Sequence, residues 1–72
     1  MLDSDEVYQM TKRGLDAGQI SAAKRIHLNL VLVKLLELHH LGYDLQHYHA
    51  QHHAFIKKFN LPAHFQFDVA AG

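Results

Sequence analysis

The fourteen positions from Leu28 to Leu41 carry nine aliphatic side chains (Leu28, Leu30, Val31, Leu32, Val33, Leu35, Leu36, Leu38 and Leu41), and Ile26 lies just outside the run. A helix that is apolar nearly all round has to be enclosed by a larger body or by lipid. With 72 residues the chain has little mass to enclose it, because domains of this size bury only about 60% of the surface they expose when unfolded. The expectation is that a second copy of the chain completes the burial. Lipid is the weaker solution. A membrane span takes about 20 largely uncharged residues, and Lys34 and Glu37 interrupt this run. The acidic start, Met1-Leu2-Asp3-Ser4-Asp5-Glu6, is also unlike a signal peptide. The chain therefore reads as soluble, with the cytosol as the default compartment.

A small chain that cannot surround its own core needs a staple. There is no cysteine, which removes disulfides and thiolate metal sites and leaves oligomerisation or a histidine-bound metal. Seven basic residues balance seven acidic ones, which argues against a polyelectrolyte partner. The eight histidines qualify that neutrality. They titrate near pH 6.5, so mild acid carries the chain towards a charge of about +8.

Local signals divide the chain into three helices. Asp3 and Glu6 have capping-box spacing, and Gly14 and Gly18 bracket the end of a first helix over about 4–16 with Val7, Met10, Thr11 and Leu15 on one stripe. Ser21 is the expected N-cap of a long central helix, about 22–41, stopped by Gly42. Asp44 is the expected cap of a third, about 45–59, ended by Asn60-Leu61-Pro62. On its 100° wheel Leu45, Tyr48, His52, Phe55, Ile56 and Phe59 share one face. The short link Gly42-Tyr43-Asp44 folds the last two into an αα-hairpin or a sharp corner. From 63 to 72 a C-terminal arm alternates, with Phe65, Phe67 and Val69 on one side, and the phenylalanines are expected to be docked. A competing reading takes residues 24–30 as a strand, since Ile26, Leu28 and Leu30 alternate with His27 and Asn29.

Six of the eight histidines fall between His39 and His53. His49 and His53 stand one helical turn apart, and His52 lies three beyond His49, a spacing that suits imidazole ligation of zinc, copper, nickel or iron. The simpler reading places these rings at helix or subunit interfaces, with His52 inside the apolar face able to loosen the assembly when charged. Catalysis is not expected. Ser4 and Ser21 read as cap or near-cap residues, and a chain this small has little scope to enclose a pocket.

Lys12, Arg13, Lys24 and Arg25 cluster in the first third, and the last two would sit at a helix N-terminus, where the dipole disfavours cations. That placement hints at a nucleic-acid contact. With a strand at 24–30 the layout would be similar to that of ribbon-helix-helix dimers, which read the DNA major groove with a paired strand, although the absence of net charge weighs against tight phosphate binding.

The sequence thus points to a single all-α domain over residues 1–72. It comprises three helices with a central αα-hairpin, assembling as a homodimeric helical bundle with a short extended C-terminal arm. The expected seam is Leu28, Val31, Leu32, Leu35, Leu36, Leu38, Tyr48, His52, Phe55 and Phe59. The expected role is that of a small non-enzymatic regulator or adaptor, binding itself and another protein, without cofactor or membrane. A transition-metal binder using His49, His52 and His53 is the alternative. A DNA-binding regulator using Lys12, Arg13, Lys24 and Arg25 comes third.

Overall fold

Four α-helices and a terminal 3-10 turn make up residues 2–67, the part of the chain described by the computed structural model. They are α1 (Ser4–Lys12), α2 (Ala17–Lys24), α3 (Leu28–His40), α4 (Gln46–Lys58) and the turn Ala63–Phe65. The protein is all-helical, with one helix more than the local signals suggest. The expected first helix stops at Lys12, and the expected central helix is two helices broken at Arg25–His27.

The break follows from capping. Asp16 accepts from the Gln19 backbone N–H at 2.8 Å, and the Gln19 side chain accepts from the Asp16 N–H at 2.9 Å, a complete capping box that starts α2. Gly18 therefore lies within a helix. It keeps that place because a Cβ there would meet the Phe55 ring at 3.1 Å, where α2 approaches α4. Ser21, expected as an N-cap, lies inside α2, and its hydroxyl donates to the Ile26 carbonyl at 2.6 Å. No strand occurs among the described residues. At the other helix starts Asp3 accepts from Asp5 N–H at 2.9 Å, while Glu6 pairs with Lys24 of α2 instead of completing a box. Asp44 accepts from Gln46 N–H at 3.1 Å, and Leu45 occupies the N-cap position.

All four α-helices of the described chain end in the same motif. Gly14, Arg25, Gly42 and Asn60 adopt left-handed backbone angles (φ 87°, 56°, 95° and 53°). The N–H of each following residue then reaches back into its helix: Leu15 to Met10, Ile26 to Ser21, Tyr43 to Leu38 and Leu61 to Ile56, at 2.9–3.2 Å. This Schellman closure satisfies carbonyls left open at a helix end and turns an apolar residue back onto the core. Leu15, Ile26, Tyr43 and Leu61 are all partly buried against the core.

α3 packs against α2, α1 and the terminal turn, and α1 also meets α4. α4 does not lie flush along α3 as a simple αα-hairpin would place it. The inward stripe of α3 (Val31, Leu32, Leu35 and Leu38) is fully buried, among Val7, Met10, Ala17, Ile20, Leu45, Tyr48, Phe55 and Ile56. Phe65 and Phe67 are buried too, so the arm is docked as its composition suggests, but its first residues, Ala63–Phe65, form a 3-10 turn where the alternation predicts an extended segment. Val69 and the rest of the arm beyond Phe67 lie outside the described residues. The Cα radius of gyration, 11.1 Å, matches the roughly 11 Å of a folded globular chain of this length. Within the apolar run a single copy buries Val31, Leu32, Leu35 and Leu38, half-buries Leu28 and Leu36, and leaves Leu30, Val33 and Leu41 exposed.

Two stability outcomes follow from this packing. Leu35→Ala leaves a cavity in the core of the single chain and should cost about 2–5 kcal/mol, read as a lower urea midpoint; an unchanged midpoint would place Leu35 outside the core. Arg25→Gly removes left-handed strain of about 1–2 kcal/mol and should raise the midpoint.

Candidate functional site

The histidines of α4 are set by its helical repeat, and each finds a different neighbour. His47 Nε2 lies 3.2 Å from the Thr11 hydroxyl, which itself donates to the Tyr8 carbonyl, so this contact ties α4 to α1. His49 Nε2–H donates to the Phe67 carbonyl at 3.3 Å, and His52 Nε2–H to the Phe65 carbonyl at 2.8 Å. The Phe67 ring stacks on the His52 imidazole at 4.2 Å and 9°, and on that of His39 from α3 at 5.3 Å and 26°. Together these rings form a clamp that holds the terminal turn against α3 and α4. Beside it, His39, Tyr43, Asp44, Leu45, Gln46, His49 and Phe67 line a small cleft of about 200 Å³.

This arrangement separates the rings expected to hold a metal. His49 and His52 direct their Nε2 atoms at backbone carbonyls, while His53, one turn beyond His49, is exposed. Among the described residues, no group of three or more His, Asp or Glu side chains converges as a metal site would require. The basic residues are similarly explained by the fold. Lys24 lies in the last turn of α2 and Arg25 follows it, so the helix dipole favours both. Their expected position at a helix N-terminus, which suggested a nucleic-acid contact, is corrected by the break before α3. Lys12 ends α1 and sits 4.7 Å over the Tyr8 ring, while Arg13 caps the same helix.

The side chains expected at a subunit seam are mostly inside. Val31, Leu32, Leu35, Leu38, Tyr48 and His52 have no exposed surface, Phe55 is buried, and Leu28 and Leu36 are half-buried. Phe59 is the exception at 55% exposure. Its ring packs at a tilt of 46° against Phe55, 4.7 Å between centroids, and borders an open groove between α2 and α4, with Ala22, Ala54 and Lys58.

The outward side of α3 is different. Leu30 and Val33 are each 54% exposed and Leu41 is 65% exposed. Leu30 and Val33 line an open groove of about 320 Å³ with Leu2, Ile26, Lys34 and Glu37, and Lys34 donates to Glu37 at 2.8 Å within it. These exposed residues were not separable from their neighbours in the sequence, where the whole run is apolar. The signal is the helical repeat: once α3 begins at Leu28, positions 30, 33, 37 and 41 fall on the side opposite 31, 35 and 38. Among the described residues, no helix is long and apolar enough to cross a membrane.

Burial controls the titration of two groups. It pushes the Tyr48 hydroxyl far above the usual phenol range, with the Asp16 charge adding to the effect. It also holds the His52 imidazole below its ordinary 6.5, against the opposing pull of the Phe65 carbonyl; the neighbouring His49 and His53 lower it further. His52 Nδ1 is buried with no hydrogen-bond partner, so a second ring proton would have no acceptor. The unfolded chain therefore takes up this proton more readily than the folded one. The His52 contribution is intact above the unfolded value near 6.5, and stability is lost as the pH falls through it towards the lower folded value. His52→Gln keeps an amide donor for Phe65 and removes the titration. The fall in Tm between pH 7.5 and 5.5 should be smaller in this variant than in the parent, and equal falls would assign the acid sensitivity elsewhere. Comparison of the chain with protein-family models, with curated proteins and with solved structures finds no match.

Proposed function

We propose that the protein is a small non-enzymatic regulatory or adaptor protein that acts by protein–protein contact as a homo-oligomer. The observation that carries this reading is the outer stripe of α3, where Leu30, Val33 and Leu41 stand more than half exposed. Isolated exposed leucines are ordinary, but three exposed aliphatic side chains on one helix face, with the Lys34–Glu37 pair set between Leu30 and Leu41, combine apolar area and charge as contact surfaces do. The stripe lies on the most centrally packed helix, so it is presented rigidly and little side-chain or backbone ordering is needed on association. Balanced charge, with seven basic and seven acidic residues, is in keeping with a protein partner.

The contact has shifted from the seam expected at Leu32, Leu35 and Leu36 to the opposite side of the same helix. Leu30→Asp combined with Leu41→Asp tests this placement, because neither side chain contributes to the buried core. The double variant should keep its far-ultraviolet circular dichroism and associate at least about tenfold more weakly in sedimentation equilibrium, a difference of about 1.4 kcal/mol. A parent chain that stays single at several hundred micromolar, or a variant that assembles as well as the parent, would overturn the reading.

A further inference from the structure

Resting on that reading, we infer that the outer stripe of α3 pairs with the same stripe of a second copy, antiparallel, about a two-fold axis at the level between Leu35 and Leu36. On a 100° wheel Leu30, Glu37 and Leu41 fall within about 40° of one another, flanked by Val33 on one side and Lys34 on the other. Along the helix these positions are symmetric. Leu30 and Leu41 stand equally far from the midpoint between residues 35 and 36, and so do Lys34 and Glu37.

In a two-fold antiparallel pair, a residue on one side of the axis meets its mirror position from the other copy. Leu30 then packs on Leu41 of the second copy, and Lys34 approaches Glu37 of the second copy, with each contact made twice. The Lys34–Glu37 bond within each copy is 2.8 Å long and partly exposed, so pairing joins two such bonds into one alternating ring of four charges. A parallel pair would set Lys34 against Lys34 and Glu37 against Glu37. Complementarity of charge therefore selects both the occupant and its direction, because the stripe is its own complement only when reversed.

The chain has no cysteine, so single thiols report the register directly. Leu30 and Leu41 are 11 positions apart (41 − 30), about 16 Å along the helix, whereas a disulfide needs Cα atoms within about 7 Å. Leu30→Cys and Leu41→Cys are prepared separately, oxidised mildly alone and as an equal mixture, and the parent chain is sedimented alongside. The expected result is a dimeric parent, little covalent dimer from either variant alone, and abundant covalent dimer from the mixture. A dimeric parent in which Leu30→Cys cross-links to itself as readily as to Leu41→Cys would overturn the antiparallel register while leaving self-association standing. A dimeric parent with no cross-link in any tube would overturn the choice of stripe. A parent that sediments as single copies would overturn the homo-oligomer itself.

Discussion

The inward stripe of α3 is the part on which every other element depends. Val31, Leu32, Leu35 and Leu38 have no exposed surface, and burying each such side chain is worth about 1.5–3 kcal/mol. In so small a domain that contribution is a large share of the total, set against the cost of ordering the chain. α1, α2 and the terminal turn all pack against this helix. The break at Arg25–His27 makes that possible. One continuous helix from Ser21 to Leu41 would have carried Ile20 and Ala17 away from the core; broken, the chain lays α2 back against α3 and buries both.

Helix ends do much of the folding work. Four Schellman closures place Leu15, Ile26, Tyr43 and Leu61 against the core, so each turn is also a packing contact. The last layer is aromatic. Phe65 and Phe67 close the open end of the core, and His39 and His52 hold them by stacking and by the bond to the Phe65 carbonyl. A buried imidazole is a well-suited clamp above neutral pH, where one nitrogen donates and the ring stacks. It is a poor one when charged, because Nδ1 faces no acceptor. The histidine enrichment is thus partly structural, and it links the seating of the terminal turn to acidity.

Periodicity and capping residues made the helical class legible, along with Gly42 as a terminator, the amphipathic face of α4 and the docking of Phe65 and Phe67. The missing element was α2. Asp16 and Gln19 carry the capping-box spacing that starts it, but Gly14 and Gly18 together read as the frayed end of a longer first helix. Nothing local marks Gly18 as a close-approach site, since the Phe55 ring that requires it comes 37 positions later (55 − 18). Arg25 is a second blind spot, because left-handed closure is usual for glycine and asparagine and seldom signalled by arginine. The exposed face of α3 was hidden for a related reason. Within a run that is apolar on all sides, only the position of the helix start and the direction of its neighbours separate the buried stripe from the exposed one.

α3 thus has an inner surface that folds the chain and an outer one, exposed at Leu30, Val33 and Leu41, through which the proposed pairing of copies would take place. A dilution series followed at once by sedimentation and by far-ultraviolet circular dichroism tests this division most directly. Dissociation into single copies that keep their full helical signal is the result expected. Loss of helicity in step with dissociation would contradict it, since the core would then depend on the second copy.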